Sequence, residues 1–249
     1  MFNKVPKKYH PPGFQFLYED HDIIVGIKAA GLLTVAAKWN RDITAESMLN
    51  IYVRKGAAKS PKHVYVVHRL DQATSGVLVF AKNEAAFHFL KAHWPTTVKT
   101  YLAIVHRPLK EKTGKVSSFL SQDEDYVVHS SASAAGAVEA AGLAADDLES
   151  GTTEAKLSHT EYTVLKETAK FSLLKINLLT GRKNQIRVHM AELGHPVVGD
   201  MKYGPNEVKN RDLMLHSYKL EITHPFNKKR LTFEAKPPRY FQALIEFDY

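Results

Sequence analysis

The chain has no cysteine among its 249 residues. That excludes disulfides, thiolate metal sites and a cysteine nucleophile, and it fits a reducing cytoplasm. No stretch approaches the ~20 consecutive apolar residues that a membrane-spanning helix needs. The segment Met1 to Phe14 is basic and Pro-rich, without the apolar core of a signal peptide. The expectation is therefore a cytoplasmic protein with no membrane segment. Thirteen histidines invite a metal reading. None lies in an HExxH pattern, and His189 and His195 are six apart, which misses helical ligand spacing. With cysteine absent, zinc would depend on histidine and carboxylate alone. No metal and no cofactor are expected. A glycine-rich phosphate loop and a Gly-x-Ser-x-Gly elbow are also missing.

What is present suits a globular fold with a substantial core, since 44% of the residues are apolar. The formal charge is +8. It is unevenly spread: residues 121–155 hold eight acidic residues and no Lys or Arg, so the remaining chain sets 34 basic against 18 acidic residues, a surplus of 16. A field of that sign draws polyanions, nucleic acid first among them. By itself it is equally consistent with a surface charged for solubility.

Along the chain, residues 1–13 read as an irregular basic tail. Residues 14–249 read as one domain. Phe16 to Lys28 is a strand–turn–strand, with Glu19 to Asp22 as the turn. Thr44 to Arg54 has the spacing of a short helix, with Met48, Ile51 and Tyr52 on one side. Residues 55–62 form a basic loop. The apolar run Val77 to Ala81 suits a buried strand. Asn83 is placed to cap a helix carrying Phe87, Leu90 and Trp94. Lys99 to His106 alternates as a strand does. Asn184 is placed to cap a second helix with Ile186, Met190 and Leu193 inward, stopped by Gly194 and Pro196. Tyr162 to Leu165, Phe171 to Leu179, Leu215 to Ile222 and Arg230 to Ala235 complete the strands. Residues 131–155 are rich in Ala, Gly, Ser and acid, show no apolar period, and read as a flexible surface insertion. Strands outnumber helices without a repeated βαβ pattern, so the fold class is α+β on a mixed, mostly antiparallel sheet.

Asp71 leads the candidates for chemistry. It sits three residues after His68, five before Gly76, and just ahead of a buried strand, where a reacting group is held rigidly. By residue type alone, capping of turn N–H groups is the commoner role. Arg187 follows Lys183 by one helical turn. A guanidinium of this kind keeps a carboxylate ionised and orients it through two parallel hydrogen bonds. For Arg182 a phosphate contact or a solvated charge is the simpler role. Tyr101 can stack on a nucleobase, worth about 1–3 kcal/mol, or pack in the core.

Several segments, in order, resemble the RluA family of pseudouridine synthases. His68-Arg69-Leu70-Asp71-Gln72-Ala73-Thr74-Ser75-Gly76 is similar to the signature around the family's catalytic aspartate. Lys99-Thr100-Tyr101-Leu102-Ala103 resembles its second motif and Thr180-Gly181-Arg182-Lys183-Asn184-Gln185-Ile186-Arg187-Val188-His189 its third, continued by Leu193 to Pro196 and Gly199-Asp200. Leu215-His216-Ser217-Tyr218 and His224-Pro225-Phe226 resemble its C-terminal strands. One departure is Lys28-Ala29-Ala30-Gly31, where members often have Lys-Pro-x-Gly. No counterpart of the S4 RNA-binding domain of many members precedes the first strand.

The resemblance implies a cofactor-free isomerisation of uridine in structured ribosomal or transfer RNA, by a protein that is most simply a monomer. Asp71 attacks or deprotonates the nucleoside as its C–N bond breaks. Arg187 pairs with Asp71, Tyr101 stacks on the uracil, and Arg69 enters the RNA stack. His68, Lys99, Arg182 and Lys183 join Arg69 as expected RNA contacts. The alternative is a non-catalytic RNA-binding or RNA-folding factor on the same scaffold. A glycosidase, which needs two flanking carboxylates, has only one well-placed acid here.

Overall fold

The computed structural model describes residues 5–6, 10–37, 40, 42–55, 57, 59–142, 155–205 and 212–248. They form two compact units, Met1–Lys99 with His216–Pro237, and Thr100–Leu215 with Pro238–Tyr249. Two of the three boundaries, Lys99/Thr100 and Leu215/His216, fall inside strands, where no change in composition marks them, and the third lies between Pro237 and Pro238.

The first unit is built on strands β1 (Phe14–Glu19), β2 (Ile23–Lys28), β3 (Tyr65–Val66), β4 (Ser75–Ala81), β10 (Leu215–Thr223) and β11 (Arg230–Glu234). β1 pairs with β2 and β2 with β4, both antiparallel. β4 runs parallel to β10 through His216–Ser75 and Ser217–Gly76, and β10 pairs antiparallel with β11. The run of apolar residues in β4 is buried on both faces throughout. One face packs Val77 and Val79 with Ile23, Val25, Leu220, Ile222 and Phe233 under helix α2 (Glu84–Ala92), through Ala86 and Leu90. Asn83 caps α2 as expected, its side chain accepting from the Ala86 N–H at 2.8 Å.

Helix α1 (Ala45–Arg54) starts at Thr44, which exchanges hydrogen bonds with Ser47 in a reciprocal cap. Its buried side chains are Ala45 and Leu49, while Ile51 is 66% exposed. The face read from the sequence through Met48, Ile51 and Tyr52 is thus rotated from the buried one, because Leu49 fills the core position and Tyr52 reaches Glu19 by its hydroxyl.

The second unit holds β5 (Val98–His106), β6 (Thr113–Gln122), β7 (Val128–Ser131), β8 (Lys156–Glu167) and β9 (Phe171–Leu178), antiparallel in the order β5-β9-β8-β6-β7. Its helices are α3 (Ala134–Ala140), α4 (Gln185–Glu192) and the short α5 (Arg239–Gln242). Helix α3 lies in the stretch that shows no apolar period. It forms because Ser133 caps it through the Gly136 N–H, because Ala137 and Val138 are fully buried, and because Ser121 donates to the Ala137 carbonyl at 3.0 Å. Small residues at three- to four-residue spacing make a buried face too weak to read from hydropathy. The later part of that insertion, 143–154, lies outside the described residues. Helix α4 is fastened through His189, whose ring nitrogens reach Thr160 of β8 at 2.9 Å and Ser118 of β6 at 3.1 Å. Leu193, expected inward, is exposed beyond the helix end, and Gly194 turns the chain with φ +78°.

Candidate active site

In the first unit the loop before β4 carries Asp71, which is half-buried. Its neighbours on both sides are pinned. The Thr34 hydroxyl donates to the Leu70 carbonyl at 2.8 Å and accepts from the Leu70 N–H at 3.2 Å. Gln72 exchanges two bonds with Gly31, backbone to backbone at 2.9 Å and side chain to carbonyl at 3.0 Å. Thr74 N–H closes the turn on the Asp71 carbonyl at 3.1 Å. The loop that carries the aspartate is therefore held through its backbone on both sides.

Beneath this loop lies Lys28, the last residue of β2, fully buried. Its ammonium donates to the carbonyls of Ala29 (2.9 Å), Leu32 (2.8 Å) and Gln72 (3.0 Å). Burial pulls its pKa down to about 7, while the Asp71 charge works in the opposite direction. Sequence reasoning noted this lysine only as the start of a departure from the family pattern. The available signal was a cation closing an apolar strand.

The loop leads into β4 by an unusually close approach to β10. Gly76 has φ +119°, and a Cβ there would stand 2.2 Å from the Ser217 carbonyl oxygen. Ser75 meets His216 Nδ1 at 2.8 Å, and His216 Nε2 meets the Ala235 carbonyl at 2.9 Å. A carbonyl only accepts, so Nε2 carries the proton and Nδ1 accepts from Ser75. Burial holds this ring neutral, with its pKa pushed down to about 4.

The expected RNA contacts divide by environment. Arg69 is exposed, as are Arg182 and Lys183 in the second unit. His68 is half-buried and Lys99 buried, both against Trp94. His68 Nε2 accepts from the Val79 N–H at 3.2 Å. Desolvation, then the charges of Lys99 and Lys91, lower its pKa to about 3, so it stays neutral. Burial likewise lowers the pKa of Lys99.

In the second unit Tyr101 lies in β5, largely buried, opposite Ile176 of β9. Arg187 lies on α4. Its Nε and Nη2 donate to the two Asp200 oxygens at 2.7 and 2.8 Å, and Nη1 donates to Asn184 Oδ1 at 3.0 Å. The guanidinium also lies 5.2 Å from the centre of the Tyr203 ring. Burial raises the Asp200 pKa, but the Arg187 bonds and charge, with the N–H groups of Tyr203 and Lys202, hold it below the ordinary carboxylate value. Asn184 adopts φ 53° and does not cap α4 with its side chain. It spans Arg187 and the Tyr203 hydroxyl instead. Gln185 is buried and ties the preceding turn to β8, accepting from Thr180 Oγ1 and Arg182 N–H and donating to the His159 carbonyl and Thr160. Asp200, Tyr203 and Gln185 escaped the candidate set. They lie in or beside the third motif, but only contact geometry shows that they support Arg187 and its helix.

On a chain of net charge +8, one unit thus carries an aspartate in a firmly held loop and the other an arginine buttressed by a buried carboxylate. Comparison with known proteins gives the class a name. Residues 22–192 match the family model for RNA pseudouridylate synthase. The chain is 32% identical to the ribosomal large subunit pseudouridine synthase D of Borreliella burgdorferi, covering 93% of this chain and 68% of that one. It is 31% identical to the tRNA pseudouridine synthase C of Pasteurella multocida, covering 94% and 96%. The human RNA pseudouridylate synthase domain containing 1 structure superposes with a TM-score of 0.70 at 24% identity, over 96% of this chain and 89% of that one, and shares the fold. The chain belongs to the RNA pseudouridylate synthase family of isomerases. Among the described residues no helix is long and apolar enough to cross a membrane.

Proposed function

We propose that the chain converts specific uridines of structured ribosomal or transfer RNA into pseudouridine, with Asp71 as the reacting carboxylate. The observation that carries this is the fixation of the Asp71 loop by Thr34, Gln72 and buried Lys28. A turn aspartate serving only as a cap needs no such framework. Isomerisation breaks the bond between uracil N1 and C1′, turns the held base, and forms a bond from C5 to C1′. The C5 proton leaves, N1 gains one, and no atom is added overall. Asp71 serves either by adding to C1′ or by removing the 2′ proton. Tyr101 stacks on the uracil and assists loss of the C5 proton. Arg187 supplies a guanidinium to the reaction, itself kept in place by Asp200 and Asn184. Extruding a base costs a few kcal/mol. Arg69 and the exposed cations Arg182 and Lys183 help to offset this through the backbone, and His68 and Lys99 shape the loop and strand behind them. The relatives include one named for ribosomal and one named for transfer RNA, so both substrates stay within the proposal.

The test is pseudouridine mapping in ribosomal and transfer RNA treated with the parent protein or with Asp71→Asn. The variant should lose at least about a thousandfold in rate, the range of a removed acid–base or nucleophilic group. Equal modification by both proteins would remove Asp71 from the reaction.

A further inference from the structure

We propose that the turn over residues 224–230, between β10 and β11, is a docking surface for an unpaired stretch of the RNA. Phe226 stacks on a nucleobase, and Lys229 meets a phosphate. This deepens the RNA-modifying reading above and rests on it.

Phe226 is 80% exposed, more than any other large apolar side chain among the described residues. It is held in place rather than left loose. His224 Nδ1 accepts from the backbone N–H groups of Phe226 and Asn227 at 3.2 and 3.3 Å. Its Nε2 therefore bears the proton, which it donates to Asp20 at 2.6 Å. Asp20 also receives the Tyr18 hydroxyl and the N–H groups of Asp22 and Ile23. Asp20, Asp22 and His224 have potential ligand atoms within 4.8 Å of one another. Both imidazole nitrogens are already committed, however, so the cluster works as a clasp for the turn. The His224 N–H closes on the Lys229 carbonyl at 2.8 Å, and the Lys228 N–H on the His224 carbonyl at 3.1 Å. Lys228 itself takes the left-handed conformation, φ 60°, which is uncommon for a residue with a side chain.

Cations follow the ring closely in the sequence. The Lys228 ammonium donates to the Pro225 carbonyl and lies 3.7 Å from the centre of the Phe89 ring. Phe89 is stacked on His93 at 4.0 Å. Positions 224–230 hold three cations and no acid. The nearest acid in sequence, Glu221, is engaged by Lys219 at 2.6 Å and Arg230 at 3.7 Å. An exposed aromatic on a restrained turn with neighbouring cations is the combination that binds single-stranded nucleic acid, because every base offers a face to stack and every nucleotide a phosphate. A duplex keeps its bases covered and leaves the ring without a partner.

The experiment measures binding of single-stranded oligouridine to the full chain, to Phe226→Ser, Phe226→Trp and Lys229→Gln, over a series of salt concentrations. Phe226→Ser should bind about tenfold more weakly with the salt slope of the parent. Phe226→Trp should restore affinity, and its added fluorescence should be quenched by the oligonucleotide. Lys229→Gln should flatten the salt slope by roughly 0.7, one phosphate contact. Equal binding by Phe226→Ser and the parent overturns the proposal. So does a loss confined to duplex RNA or to phosphatidylserine vesicles. Should Phe226→Ser unfold, absence of quenching in Phe226→Trp overturns it instead. Pseudouridine formation by the parent is scored separately: its absence counts against the proposed reaction and leaves the binding result to be judged by itself.

Discussion

The residue that most repays attention beside Asp71 is Asp200. Its side chain is fully buried and receives two guanidinium N–H groups of Arg187 and two backbone N–H groups, of Lys202 and Tyr203. Removing one partner of a buried pair leaves the other charge uncompensated, typically at a cost of 3–5 kcal/mol. Asp200→Asn keeps the size and one acceptor, so a loss of about 3 kcal/mol in urea unfolding is expected. Arg187 should also lose its orientation, so kcat should fall more than KM rises. A variant as stable and active as the parent would show that Asp200 is not the buttress of Arg187. Asp200 was visible in the sequence as part of a motif, but its partner was not. An arginine and an aspartate thirteen residues apart meet only when the chain after α4 turns back, and neither helical nor strand periodicity encodes that return.

At the scale of elements, the join between β4 and β10 is set by one glycine. Gly76 lies at φ +119° with the Ser217 backbone where a methyl group would go. Backbone strain of this kind costs about 1–3 kcal/mol for a residue with a side chain, and the overlap with Ser217 adds to it. Gly76→Ala should therefore lower unfolding stability by at least about 2 kcal/mol and weaken the Ser75–His216 contact. Unchanged stability in chemical denaturation would mean that the strands do not approach this closely. The elements legible in the sequence were those with dense apolar patterning. β2 and β4 were recognisable from runs of Ile and Val, and α2 from its cap and its stripe of Phe87 and Leu90. β6, with Gly114, Ser117, Ser118 and Ser121, was not recognised, because four small or polar positions hide its alternation. It is a strand because β7 and β8 pair with it on both sides. For α3 the buried face consists of Ala and Val. For α4, Asn184 looked like a cap, but tertiary demand redirected its side chain to Arg187 and Tyr203. The candidate residues followed the same rule. Asp71, Tyr101 and Arg187 stood out through motif resemblance, whereas for Lys28, at the end of an apolar strand, and Gln185, inside the third motif, the sequence does not show the bonds by which they hold their surroundings.

For the whole molecule, acid is the condition that tests the packing of both units together with a sign fixed in advance. His216 in the first unit and His189 in the second are fully buried, and burial lowers each to about 4. In the unfolded chain both titrate near ~6.5. Between those values the unfolded state binds up to two more protons than the folded one, so stability falls as pH falls through that window and is fully present above it. His68, held at about 3, adds in the same direction. Two protons correspond to a slope of at most about 2.7 kcal/mol per pH unit. The midpoint of thermal unfolding should thus drop steadily on going from neutral pH toward the folded-state values. Replacing either His189 or His216 by Gln should make that decline shallower by about one proton, whatever the variant does to stability at neutral pH. The two rings act through different partners, Thr160 and Ser118 for His189 and Ser75 and the Ala235 carbonyl for His216. Their effects on the slope should therefore add. A midpoint that stays level through this range would mean that these imidazoles are open to water and can take up protons without disturbing the strands and helix they join.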